Sequence, residues 1–99
     1  MGPLLLTLTP KARQDLDSIW TFSRDRWGTE QAETYLRLIA GALESLAQGT
    51  IVGRDAGAVK AGYLRHAVGS HLVFFRVRGT DALEVVRILH QWMDLPRHL

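Results

Sequence analysis

Helix boundaries that fall on neighbouring residues constrain the fold of this chain more than any other feature. Thr9-Pro10 is a strong helix start, because threonine caps the first turn and proline at the first helical position loses no donor. Gly28-Thr29 combines a helix stop with a new N-cap, and Gly49 ends the second helix. Two helices joined this tightly fold back on each other, so the pattern predicts an α-helical hairpin.

Both helices carry an apolar stripe at three- and four-residue spacing, which is typical of a helix packed on a core. The first stripe contains Ala12, Leu16, Ile19, Trp20, Ser23 and Trp27, and the second contains Ala32, Tyr35, Leu36, Ile39, Leu43 and Leu46. Phe22 lies off the first stripe. We expect it to be exposed, where an aromatic side chain marks a docking surface.

The C-terminal half predicts three strands. Residues 63–68 and 71–78 flank Gly69-Ser70, a two-residue turn with glycine where a type II′ hairpin needs it. This turn places Arg65 opposite Phe74. A third strand over residues 82–90 follows a turn at 79–81. Residues 49–62 show no sustained period and contain four glycines, so we interpret them as a flexible connection and a candidate partner-contact loop.

Arg87 lies inside an otherwise apolar strand and needs a partner, because a buried unpaired charge is costly. A three-residue turn at 79–81 pairs Arg76 with Glu84 and places Arg87 beside Val73, on the face that the helices cover. A two-residue turn would reverse Arg87. With the first register, we expect an acidic partner for Arg87, such as Asp94 or the chain end.

The other sheet face collects basic residues. Arg65 and Arg76 are diagonal neighbours there, with Tyr63 and Phe74 beside them. One interpretation is a solvated face with a cross-strand pair between Arg76 and Glu84. The other is a site where arginines bind the carboxylates of an acidic partner, which we favour.

These elements predict a two-layer α+β domain over residues 1–99. An N-terminal strand precedes the helical hairpin, which packs on one face of a mainly antiparallel meander (β-α-α-β-β-β). Hydrophobic residues make up 46% of the chain, which is enough for a modest core. The absence of cysteine and of close-spaced histidines gives no reason to expect a metal or a disulfide. No membrane span and no signal peptide are apparent, so we expect a cytoplasmic protein.

Four separated segments resemble the ParE toxins of the RelE/ParE toxin superfamily. They are residues 12–20 (ARQDLDSIW), 27–35 (WGTEQAETY), 62–65 (GYLR) and 86–94 (VRILHQWMD). The resemblance implies the same order of elements and a toxin from a type II toxin-antitoxin system. It further implies inhibition of DNA gyrase without catalysis or cofactor, neutralisation by a ParD-like antitoxin, and contact with operator DNA only through that antitoxin.

Two sets of site residues follow. The predicted antitoxin contacts are Trp20, Phe22, Tyr63, Arg65, Phe74 and Arg76. The residues predicted to bind the target or anchor the tail are Arg87, His90, Trp92, Met93 and Asp94.

Two other functions stay open. One is a ribosome-dependent messenger RNA endoribonuclease of the RelE type, in which Arg65, Arg76, Arg87 and His90 would stabilise phosphate charge and move protons. No tyrosine follows the last strand, where several such enzymes carry one. The other is an adaptor, or a toxin homologue without activity.

Overall fold

The computed structural model describes residues 2–92 and shows two helices and a five-stranded sheet. The elements are β1 (Leu5–Leu8), α1 (Pro10–Trp27), α2 (Thr29–Gln48), β2 (Arg54–Asp55), β3 (Leu64–Val68), β4 (His71–Arg78) and β5 (Ala82–His90). The strands lie in the order β1-β5-β4-β3-β2, with β1 parallel to β5 and the other neighbours antiparallel. The predicted α+β class with its helical hairpin is confirmed, and β2 is an addition to it.

Thr9 begins α1 and also fastens it to the sheet. Its hydroxyl oxygen accepts the N–H of Ala12 at 3.1 Å, as predicted for an N-cap, and its O–H donates to the carbonyl of Val86 at 2.7 Å. At the other end, Gly28 has a φ of 92° and separates the two helices. Gly28 is itself the N-cap of α2, so the prediction of Thr29 as that cap was wrong by one residue.

The helical hairpin covers one face of the sheet, and the main core lies between the two layers. Its buried members are Ala12, Ile19, Ile39, Leu43, Leu46, Val68, Val73, Phe75, Leu83, Val85 and Ile88. Burial of each large apolar side chain contributes about 1.5–3 kcal/mol before the entropy of ordering is subtracted. This layer therefore fixes how the helices sit on the strands.

A smaller cluster covers the opposite face of the sheet, which we call the outer face. It contains Ala56, Tyr63, Phe74 and Leu89, with Leu72 and Val86 packed against them. Part of this cover comes from residues 49–62, in which no strand was predicted. They contain β2, and the N–H of Ala56 donates to the carbonyl of Tyr63 at 2.9 Å. A two-residue strand is too short to show an alternating pattern in sequence.

The predicted register is confirmed around both turns and fails at one point between them. Val68 pairs with His71, and Arg76 pairs with Glu84. A β-bulge at Phe74/Phe75 then shifts the pairing of β4 with β5, so that Arg87 lies opposite Phe74. The prediction that Arg87 lies beside Val73 was therefore wrong, since Val73 pairs with Ile88.

Candidate functional site

A groove of about 910 Å³ opens between α1, the start of α2, the β3–β4 turn and the end of β5. Its apolar and aromatic lining includes Ile19, Phe22, Trp27, Ile88, His90 and Trp92. Three of these rings stay largely in solvent: Phe22 is 59% exposed, Trp27 58% and Trp92 82%. Contiguous exposed apolar side chains of this kind mark an interaction site.

The rim on α1 is an aromatic pair with a cation over it. The rings of Phe22 and Trp27 are perpendicular, with centroids 6.0 Å apart, and the Arg26 guanidinium lies 5.9 Å and 5.6 Å from them. Trp27 was predicted to belong to the buried stripe, which is wrong. Ser23 is the last buried residue of α1, one turn before Trp27.

A small polar network lines another part of the groove. The hydroxyl of Tyr35 lies 2.6 Å from Nδ1 of His71 and accepts the N–H of Ser70 at 3.1 Å. The His71 ring meets the His90 ring edge-on, with centroids 5.4 Å apart. Burial lowers the pKa of His71, the nearby His90 lowers it further, and Asp15 opposes both. A neutral His71 with its proton on Nε2 has Nδ1 available to accept the Tyr35 O–H.

Arg87 of β5 and Asp15 of α1 form a mostly buried ion pair. Nε of Arg87 lies 2.8 Å from Oδ2 of Asp15, and Nη2 lies 2.8 Å from Oδ1. Both side chains are mostly buried, at 15% and 12% exposure. The hydrogen bonds that Arg87 donates to Asp15 raise the pKa of Arg87.

The same carboxylate also binds backbone, because Oδ2 of Asp15 accepts the N–H of Ile88 at 2.9 Å. β1 stops pairing with β5 at Leu8, opposite Val85, and beyond that point Asp15 binds β5 in place of a strand. The partner predicted for Arg87 was Asp94 or the chain end, and Asp15 was missed. Its spacing of four residues from the buried Ile19 was the available signal.

Comparison with known proteins identifies the family. The family described as "ParE toxin of type II toxin-antitoxin system, parDE" matches residues 6–95. The chain belongs to the ParE toxin family. It is 42% identical to Toxin ParE1 of Mycobacterium tuberculosis over 92 residues, covering 93% of this chain and 94% of that protein. It is 44% identical to Toxin ParE1 of Caulobacter vibrioides over the same shares of the two chains.

Solved structures with the same fold come from toxin-antitoxin systems. A chain of the chromosomal ParDE system from P. aeruginosa superposes with a TM-score of 0.77 at 25% identity, over 88% of this chain and 95% of that one. A chain of the RelBE2 toxin-antitoxin complex from Mycobacterium tuberculosis gives a TM-score of 0.62 at 19% identity, over 91% and 93% of the two chains. The second likeness shows the fold alone.

The groove of this ParE family member brings together residues from both predicted sets. Phe22, predicted to contact antitoxin, lines it together with His90 and Trp92, predicted to bind the target or anchor the tail. Trp20 is half-buried on α1. Met93 and Asp94 lie outside the described residues, and the carboxylate that the structure shows on Arg87 is that of Asp15.

The other predicted antitoxin contacts lie on the outer face. Tyr63 and Phe74 are buried in the smaller cluster, at 6% and 0% exposure. Arg65 and Arg76 are half-buried, and Nε of Arg76 donates to Glu84 at 2.9 Å. The six predicted residues therefore do not form one surface.

The four residues of the ribonuclease hypothesis do not converge either. Arg65 and Arg76 belong to the outer face, whereas Arg87 binds α1 and His90 lines the groove. Among residues 2–92, no group of three or more His, Asp and Glu side chains is placed to hold a metal ion. No helix in this part of the chain is long and apolar enough to cross a membrane.

Proposed function

We propose that this ParE family member is a cytoplasmic toxin that inhibits DNA gyrase by protein-protein contact, and that a ParD-like antitoxin neutralises it by filling the groove. In this proposal it reaches operator DNA only through the antitoxin. The observation that carries the proposal is the exposed aromatic groove. An apolar surface with Phe22, Trp27 and Trp92 exposed to solvent is typical of a binding site for a macromolecular partner.

The shape of the groove favours a helical occupant. An amphipathic helix laid in a groove presents anchors at three- and four-residue spacing, and a cleft between two helices and a strand end can hold such a row. Because Phe22 and His90 line the same groove, an antitoxin helix placed there would cover residues predicted to bind the target. Neutralisation would then be direct competition for one surface.

The ion pairs on both faces of the sheet favour binding over catalysis. A nuclease needs arginines free to stabilise charge on the scissile phosphate. Arg87 instead makes a bidentate contact with Asp15, and Arg76 is paired with Glu84. Both arginines therefore serve the fold, and their charge is largely offset where they lie.

Two assays with the purified toxin test this proposal side by side: gyrase supercoiling with detection of cleavage complexes, and cleavage of ribosome-bound messenger RNA. We expect gyrase inhibition with intact message. The His90→Ala variant sharpens the comparison. Message cleavage that this variant abolishes, with gyrase unaffected by the wild-type protein, would replace gyrase inhibition with the RelE-type activity.

A further inference from the structure

Two arginines lie opposite each other on neighbouring strands of the outer face. The register of β2 with β3 pairs Arg54 with Arg65, so both side chains project from the same side of the sheet. Like charges placed directly opposite each other destabilise a strand pair. Within residues 2–92 neither guanidinium has a carboxylate partner.

Among residues 2–92, the surroundings of this pair supply no free carboxylate. Lys60 Nζ and the Arg76 guanidinium lie 5.5 Å and 5.9 Å from the centre of the Tyr63 ring, beside the arginine pair formed by Arg54 and Arg65. Glu84 is already shared by two arginines, Arg76 at 2.9 Å and Arg78 at 3.3 Å.

Asp55 does not neutralise the arginine pair either. It pairs with Leu64, so its side chain projects from the other side of β2, and its Oδ1 accepts the N–H of Gly57 at 3.0 Å. Among the residues that the structure describes, nothing neutralises the arginine pair, which is therefore a cationic site held in place by strand pairing. Its two guanidiniums can bind carboxylates in the bidentate geometry that arginine favours.

We propose that the arginine pair binds the carboxylates of an extended acidic peptide segment, at a site separate from the groove. Only the assignment of that segment to the antitoxin rests on the proposed function. β2 is the edge strand of the sheet, so an extended segment can add to it. A side chain paired with Arg54 would then project toward the same face as Arg65.

A peptide fits this face better than a nucleic acid does. Proteins that bind single strands stack bases on exposed aromatic rings, whereas Tyr63 and Phe74 are closed, at 6% and 0% exposure. The local charge is sufficient for a few carboxylates.

Fluorescence anisotropy with the full chain tests the proposal. The probe is a labelled eight-residue peptide of alternating Glu and Val, compared with the same peptide carrying Gln in place of Glu. We expect binding of the Glu peptide that weakens with salt, and at least a tenfold loss of affinity in the R54Q/R65Q double variant. The R13Q/R37Q variant removes two exposed arginines of α1 and α2 and should bind as the wild type does.

The thermal midpoint of R54Q/R65Q separates lost binding from lost folding. It should equal or exceed that of the wild type, because the substitution removes repulsion and no ion pair. Unchanged peptide affinity in R54Q/R65Q would overturn the proposal. Tighter binding of a 12-nucleotide RNA or a DNA duplex, lost in the same variant, would also overturn it in favour of a nucleic-acid site. Since gyrase is absent from this experiment, its result is independent of the supercoiling assay.

Discussion

At the scale of single residues, the carboxylate of Asp15 binds the mostly buried guanidinium of Arg87. Replacing it by alanine leaves Arg87 largely buried and removes the acceptor of the Ile88 N–H. We expect Asp15→Ala to lower the free energy of unfolding by about 3–5 kcal/mol, the usual penalty for removing one partner of a buried pair. Urea denaturation followed by circular dichroism measures this loss.

Asp17 is the matched control, because it lies two residues along the same helix and is exposed. Asp17→Ala should change the free energy of unfolding by no more than about 0.5 kcal/mol. Equal effects of the two substitutions would mean that the pair between Asp15 and Arg87 contributes little. Replacing both partners, as in D15L/R87M, should recover part of the loss, since no charge is then left buried.

His71 should make stability depend on pH in one direction. Burial and His90 of β5 lower its folded-state pKa below the ordinary value of 6.5, whereas Asp15 of α1 opposes this. The unfolded chain therefore binds this proton more readily. The stabilisation is present above pH 6.5 and is lost as the pH falls through the folded-state pKa.

Thermal melts between pH 7.5 and pH 5 measure the effect. The midpoint of the wild type should fall more steeply with acid than that of His71→Gln, in which the group cannot titrate. His66→Gln serves as control and should keep the wild-type slope. Protonation of Nδ1 of His71 leaves the Tyr35 O–H with the more distant carbonyl of Val68, at 3.4 Å, as its acceptor. Parallel slopes for the wild type and His71→Gln would contradict the neutral state assigned to His71.

At the scale of elements, two glycines can be compared: one position requires glycine, and the other has room for a side chain. Gly69 in the β3–β4 turn has a φ of 56°, and a Cβ there would lie 2.6 Å from the Tyr35 ring. Gly41 lies inside α2, with nothing within 4 Å of an added Cβ. We expect Gly69→Ala to destabilise by about 1–3 kcal/mol. Gly41→Ala should stabilise by about 0.5–1 kcal/mol.

Chemical denaturation of the two variants, beside the wild type, checks these opposite signs. Gly69→Ala should also disturb the histidine signals of His71 in proton NMR, because the clash pushes on its hydrogen-bond partner Tyr35. A stable Gly69→Ala protein with unchanged spectra would show that the turn accommodates a side chain. The Gly41 variant controls for the intrinsic difference between alanine and glycine.

The elements that sequence predicted are those fixed by local chemistry. Thr9 caps the start of α1 with its side chain, and Gly28 ends the helix. The turn at Gly69 sets the register of β3 with β4. Each of these residues acts on residues close to it in the chain. The bulge at Phe74/Phe75 and the pairing of β1 with β5 depend on contacts far apart in sequence. No local pattern encodes such contacts, which is why Arg87 was placed one residue out of register.

At the scale of the whole molecule, the groove was predictable only in its parts. The exposure of Phe22 could be predicted because this residue departs from the stripe of its helix. Its proximity to His90 and Trp92 could not, since it requires α1 and the end of β5 to be placed together by the core. That proximity places one residue of the predicted antitoxin set and two residues of the predicted target set on one surface. It converts separate binding predictions into a prediction of competition.

Competition for the groove predicts that single substitutions weaken both partners. Phe22→Ala and Trp27→Ala each remove an exposed ring from the rim. We expect each to reduce antitoxin affinity about 30-fold, which corresponds to about 2 kcal/mol for an aromatic side chain that the partner covers. Gyrase inhibition should weaken in the same variants. Isothermal titration with the antitoxin and supercoiling assays with gyrase measure the two effects.

Leu38→Ala is the matched control, because this leucine of α2 is 54% exposed and does not line the groove. It should leave both affinities unchanged. A saturating antitoxin should also prevent the toxin from binding immobilised gyrase, since two partners cannot fill one groove. A stable ternary complex, or variants that lose one partner and keep the other, would mean that the surfaces are separate and that neutralisation acts by another route. Joint loss in Phe22→Ala and Trp27→Ala would instead assign inhibition and neutralisation to the same side chains.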